Sequence, residues 1–225
     1  MKDFSDVKTL AQEIESYLGK LIIEGQIQPG VRLIPEELAK EFNVSKSPVR
    51  EAIAMLEKEE LVVRKSRMGF YVADILLKDI EEIYPIRASL NSLMVKSILE
   101  EGYDGNFIPT LKDIIAKKKK LAAKGDTSTF FEQNVLFYEF LKESCPNKHL
   151  CRIINLLGRK VLRFRYLVHS QPGHSQRTIV FHEKFVTALE KHDIEASRSI
   201  AEQIILNGLN VLRELFKKQT QGQLK

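Results

Sequence analysis

Val44-Ser45-Lys46-Ser47-Pro48-Val49-Arg50-Glu51-Ala52-Ile53-Ala54-Met55-Leu56 reads as a helix with two unlike faces. Ser45 is placed to cap it, and Pro48 is tolerable because it falls in the first turn, where backbone N–H groups have no intrahelical partner. Val49, Ala52, Ile53 and Leu56 recur at helical spacing and point to a core, while Lys46, Ser47, Arg50 and Ala54 line the opposite side. Short polar and basic side chains at the start of a helix suit entry into a DNA major groove, because the free N–H groups and positive dipole end there favour phosphate.

Working outward, Leu10, Ile14, Tyr17, Leu18, Leu21 and Ile22 predict an amphipathic helix over Val7–Glu24 that stops at Gly25. A turn at Gln28-Pro29-Gly30 leads to a short helix after Pro35, carrying Leu38, Ala39 and Phe42 on one face and broken by Asn43-Val44-Ser45. On the other side, Leu61–Arg64 and Phe70–Val72 predict two short strands joined by the basic turn Lys65-Ser66-Arg67-Met68-Gly69. A hairpin after two such helices is a wing, and Arg64, Lys65 and Arg67 are placed to reach phosphates or the neighbouring minor groove. Taken singly, each piece also fits a packed helix pair or a charged hairpin edge protected from aggregation.

With 225 residues and 44% hydrophobic content, the chain can build two modest cores, expected over 1–74 and 75–218 with a frayed tail at 219–225. The net charge of +5 is no argument for DNA, since Met1 to Ala73 hold eleven Lys/Arg against twelve Asp/Glu; local placement carries the case. No cationic stretch with an apolar core follows Met1, and no apolar run approaches the roughly 18 residues of a membrane span, so a soluble cytoplasmic protein without membrane contact is expected. Cys145 and Cys151 belong to no zinc or CxxC pattern and read as thiols in a reducing compartment.

From Leu76 onward strand signals vanish. Breaks at Gly102–Gly105, Gly125–Thr127, Pro146-Asn147, Gln171–Gly173 and His192-Asp193 leave about six helical segments. The expected fold is therefore mainly α: a winged helix-turn-helix of three helices plus a β-hairpin, then an all-α antiparallel bundle. Lys117–Lys120 read as a solvated helix face, and His149, His169, His174 and His192, near helix ends and loops, read as surface. Asn134 and Tyr138, at i and i+4, can offer an amide and a hydroxyl to a ligand, and Arg87 and Arg163 are the cationic candidates for an acidic one. There is no GxSxG, HExxH or P-loop pattern to suggest an enzyme.

Gln28-Pro29-Gly30-Val31-Arg32-Leu33, Glu37-Leu38-Ala39, Val44 to Ala52, Leu56 to Val62 and Gly69-Phe70-Tyr71-Val72 together closely resemble the N-terminal domain of GntR-family repressors. The resemblance implies that Ser45, Lys46, Ser47 and Arg50 contact a double-stranded operator and that Arg67 to Gly69 form the wing tip. It also implies a homodimer on a pseudo-palindrome with half-sites ~34 Å or a multiple apart. Two positions depart from the family. Lys46 stands where arginine is usual and cannot form arginine's fork on guanine, and Glu36 stands where the family often carries a phosphate-contacting arginine.

Ile83, Ile86, Leu90 and Leu93 around Arg87, Phe137 to Asn147, and His182 to Asp193 resemble the effector domain of the FadR-type branch, the FCD domain. That resemblance implies a cavity that in many members holds a divalent metal on an Asp, a His four residues on, and two later His. Here those positions are Asn134, Tyr138, His182 and Ile204, a set too poor in anionic and imidazole donors, so neither a metal nor another cofactor is expected. The expected effector-binding residues are Arg87, Asn134, Tyr138 and His182, with a small carboxylate as the ligand. A degenerate helical domain used only for assembly, and a metal-dependent enzyme, are the alternatives.

Overall fold

Thr9 starts the first helix. Its hydroxyl accepts the Gln12 N–H at 3.2 Å while the Gln12 side chain accepts the Thr9 N–H at 2.8 Å, a reciprocal box that satisfies two otherwise orphaned donors. The computed structural model describes residues 8–223, so Val7, where the first helix was expected to begin, and Leu224 and Lys225 of the expected tail lie outside the described residues.

Residues up to Ile75, together with Gly158–Arg163, form one compact unit. It contains α1 (Leu10–Ile23), β1 (Arg32–Leu33), α2 (Pro35–Glu41), α3 (Lys46–Lys58), β2 (Val62–Lys65) and β3 (Gly69–Val72). Both α1 and α2 pack on α3, whose Val49, Ala52, Ile53 and Leu56 are fully buried, as the periodicity predicts. The strands form an antiparallel sheet in the order β1-β3-β2, with Arg32 opposite Tyr71 and Val62 opposite Val72. The two-residue β1 was not expected, because so short a strand shows no alternation to read. At the tip of the hairpin Arg67 takes a left-handed φ of 60° and Gly69 a φ of 103°, and the Met68 N–H closes the turn on the Lys65 carbonyl at 3.0 Å.

The second unit is helical: α4 (Leu77–Glu101), α5 (Phe107–Lys124), α6 (Thr127–Glu143), α7 (Lys148–Leu156), the later part of α8 (Gly158–His169), α9 (His174–Glu190) and α10 (Ile194–Gln223). Asp126 and Asn147 cap α6 and α7, each accepting a backbone N–H at 3.0 Å. Among the described residues the unit has seven helices where about six were expected, because the segment between Pro146 and Gln171 divides at Leu157 with only Gly158 as a signal. The helix α10 runs on to Gln223, correcting the expectation that the chain frays from residue 219; a Lys217–Glu214 pair at 2.9 Å supports the turn before that point. Met94, Ile98, Phe107, Leu111, Phe130, Phe137, Phe185 and Leu189 form the core around which α5 packs on α6 and α9, and α10 on α4 and α9. Cys145 and Cys151 are both free.

Candidate functional site

In the first unit the exposed face of α3 carries Lys46, Ser47 and Arg50, preceded by Ser45 at the N-cap. The Ser45 backbone is extended as a cap requires, yet its hydroxyl makes no capping bond and stays exposed. Lys46 and Arg50 keep 61% and 64% of their side-chain surface, enough to meet a partner, although both lean on Glu36 of α2 at 3.5 and 3.2 Å. Across the hairpin, the Arg64 guanidinium lies over the Phe70 ring at 4.7 Å and 3.6 Å from Glu57, and the Lys65 ammonium lies over the Tyr71 ring at 4.6 Å. Arg67 is exposed at the tip beside Gly69. All the basic and small residues singled out in this unit therefore sit on α3 or the wing with their polar ends accessible, an arrangement suited to a groove and its flanking phosphates.

The helical unit holds a partly open cavity of about 650 Å³. Its wall includes Tyr84 and Arg87 from α4, Asn134 and Tyr138 from α6, and Arg165 and His169 from α8. Arg87, Asn134 and Tyr138 are thus brought together as expected. His182 is completely buried beside this group, its ring stacked on Phe137 at 4.0 Å, and it is tied to a lysine described below. Arg163 makes a different contact: it donates to the Ala73 carbonyl at 2.5 Å within the first unit. The other buried arginine of the cavity wall is Arg165, two residues further on.

Arg165 donates to the Asn134 carbonyl at 3.1 Å and lies over the Tyr138 ring at 4.6 Å, while Arg87 lies over the Tyr84 ring at 4.9 Å. Burial, and next the charge of Arg87, push the Arg165 guanidinium down to about 10, and among the described residues neither arginine forms an ion pair with a carboxylate. Burial raises the phenols of Tyr84 and Tyr138, so both stay protonated as hydrogen-bond donors.

Lys118 overturns the reading of Lys117–Lys120 as a uniformly solvated face. Lys117 and Lys119 are exposed, but Lys118 is 0% exposed, with its amino group 2.9 Å from both Asn134 Oδ1 and His182 Nδ1. The signal was present: Leu111, Ile115 and Lys118 fall on one helical face, and the first two are core residues. His169 and His174 also correct the surface reading. They are 7% and 8% exposed, and the helix ends that carry them converge across the Gln171–Gly173 turn on the cavity. Burial first, then the Lys118 charge, pushes His169 and His182 well below the usual imidazole value; burial pushes His174 to about 4. His149 and His192 are exposed.

The residues do not fit a divalent metal. Among the described residues no cluster of three His, Cys, Asp or Glu side chains can hold one, and the Lys118 amino group already bonds the two polar atoms, on Asn134 and His182, that remain of the family's donor set. No described helix is long and apolar enough to cross a membrane.

A three-helix head with an exposed basic helix and a hairpin wing defines a DNA-binding transcription regulator of the winged helix-turn-helix class. The sequence pattern of the bacterial regulatory proteins of the gntR family matches residues 10–72, and that of the FCD domain matches residues 82–207. The chain belongs to the GntR family, carries an FCD domain, and is a transcription regulator rather than an enzyme. It is 30% identical over 180 residues to the gluconate operon transcriptional repressor of Bacillus subtilis (strain 168), covering 76% of this chain and 72% of the relative. It is 28% identical over 200 residues to the HTH-type transcriptional regulator YdhC of the same strain, covering 88% and 89%. Among solved structures, that of Escherichia coli McbR/YncC superposes with a TM-score of 0.80 over 93% of this chain and 100% of its own, at 23% identity, a shared fold.

Proposed function

We propose that the protein is a repressor that binds a pseudo-palindromic operator as a homodimer in the cytoplasm and responds to a small carboxylate held in the helical cavity. The observation that carries the ligand reading is the pair Arg87 and Arg165: two buried guanidinium groups on one cavity wall without a carboxylate ion pair among the described residues. A buried charge without a counter-charge is costly, and a carboxylate offers guanidinium a two-pronged partner. The relative named for a gluconate operon supports both parts, since gluconate is itself a small carboxylate. The operator-reading residues are Ser45, Lys46, Ser47 and Arg50 on α3, with Arg64, Lys65, Arg67 and Gly69 of the wing on the flanking backbone. One recognition helix reads only a few base pairs, which is the reason for two heads on two half-sites.

Ligand binding shifts DNA affinity by its differential affinity for the two states of the protein. The test is a thermal-shift screen of gluconate and other small carboxylates against uncharged polyols, followed by operator release measured by fluorescence anisotropy. A carboxylate that raises the melting temperature of wild type and releases DNA, but does neither in Arg165→Ala, supports the reading. A protein indifferent to every carboxylate would have a helical domain used for assembly alone.

A further inference from the structure

The buried polar cluster behind the cavity wall has a hydrogen-bond direction that its chemistry dictates. Lys118 Nζ is 2.9 Å from Asn134 Oδ1. A carbonyl oxygen only accepts and an amino group donates whether or not it is charged, so the bond runs from Lys118 to Asn134 in either protonation state. With Oδ1 turned to Lys118, the amide Nδ2, which only donates, is the atom 2.8 Å from His169 Nε2. His169 Nε2 must then accept, and the single proton of the neutral imidazole resides on Nδ1. His169 Nδ1 is buried and has no hydrogen-bond partner among the described residues, on a ring that forms part of the cavity wall. A buried N–H donor without an acceptor is costly, and its ring lines the same cavity as the two guanidinium groups that have no carboxylate ion pair among the described residues.

We propose that Lys118 fills the place of a metal ion in this chain and, through Asn134, sets His169 as its Nδ1–H tautomer at the cavity wall, so that the cavity takes an acceptor-bearing organic anion and not a divalent cation. The amino group bonds Asn134 and His182 directly, and the Phe130 and Phe137 rings lie 5.0 and 5.5 Å from it. A second cation entering this nest would meet Lys118 at bonding distance from the same donor atoms, with Arg165 and Arg87 nearby as further positive charge. His174 adds to the demand for acceptors: its ring packs edge-on against His169 at 5.4 Å, and its Nδ1 is likewise buried without a partner among the described residues. The ligand class deepens the carboxylate reading, because it asks for acceptor oxygens beyond the charged end, as a hydroxy or keto acid supplies. That class rests on the carboxylate reading, but the lysine-for-metal assignment and the tautomer of His169 do not.

Two measurements test it, and neither uses an effector, so a failure of the carboxylate reading leaves both interpretable. The first is a long-range proton–nitrogen correlation spectrum of the full-length protein labelled with ¹⁵N-histidine, with His169 assigned by comparison with His169→Gln. The expected spectrum shows a protonated, pyrrole-type Nδ1 and an unprotonated, pyridine-type Nε2 at neutral pH. In Lys118→Met the Asn134 amide is free to turn, and the Nε2–H tautomer of His169 gains population. A wild-type His169 with its proton on Nε2, or protonated on both nitrogens, overturns the proposal whether or not Lys118→Met folds. The second is a thermal-shift titration with zinc, nickel and manganese, with and without EDTA. No metal is expected to move the wild-type melting temperature. A metal-dependent rise that EDTA reverses and His182→Ala removes would overturn the assignment of this nest to Lys118.

Discussion

Arg50 on the exposed face of α3 donates from Nη2 to Glu36 Oε1 of α2 at 3.2 Å, and the Lys46 ammonium shares that oxygen at 3.5 Å. The two cations best placed to enter a groove are therefore held by an acid of the same domain, and DNA phosphates must compete with it. Replacing Glu36 by Gln removes a negative charge from the face without changing its shape. The variant should bind any duplex severalfold more tightly at low salt, the gain shrinking as salt screens it. Anisotropy titrations at several salt concentrations check this; equal affinities for Glu36→Gln and wild type would mean that Glu36 does not face the DNA.

Arg50→Ala addresses sequence reading more than general affinity. An arginine reaching base edges contributes roughly 1–3 kcal/mol, about five- to a hundred-and-fiftyfold, to operator binding and much less to binding of random duplex. The expected result is a collapsed ratio between operator and random DNA, with Lys65→Ala, on the wing, weakening both alike. Loss of the same factor on both duplexes in Arg50→Ala would make Arg50 a backbone contact.

The DNA-binding half of the molecule is legible in the sequence because its burial follows a simple period. Val49, Ala52, Ile53 and Leu56 could be placed from spacing alone, and they are all in the core. The cavity is less legible, and the reason lies in its residues. Lys118 occupies a core position, and only the phase set by Leu111 and Ile115 betrays it within a run of four lysines. Arg163 and Arg165 are two residues apart, about 200° around a helix, so one bonds the Ala73 carbonyl and the other the cavity wall. Proximity in sequence could not choose between them. His169 and His174 sit at helix ends, which usually means solvent, but the turn joining those helices brings both rings together.

For the two cavity arginines, Arg87→Met and Arg165→Met should each abolish the response to a carboxylate ligand while leaving operator affinity without ligand within about twofold of wild type. The unliganded melting temperature should hold or rise, since methionine fills similar volume and removes a buried charge that has no carboxylate ion pair among the described residues. Scanning calorimetry and anisotropy measure the two quantities on the same samples. A response that survives both substitutions would take the anion site away from this wall.

The buried imidazoles should make the protein sensitive to mild acid. An unfolded histidine takes up its proton near pH 6.5, whereas native His174 does so only at about 4, and burial with the Lys118 charge holds His169 and His182 well below their ordinary value. Between those limits the unfolded chain binds more protons than the folded one, so stability falls as pH drops below about 6.5, by up to ~1.4 kcal/mol per pH unit for each such histidine. Lys118, also lowered by burial, acts in the same sense at higher pH, so stability does not turn down on the alkaline side on its account. Urea midpoints at pH 7, 6 and 5 should decrease in that order, and His174→Phe should flatten the slope between pH 6 and 5 by removing one of the three groups. Equal midpoints at pH 7 and 5 would mean that these rings are already solvated and that the cavity is open to water at its histidine end.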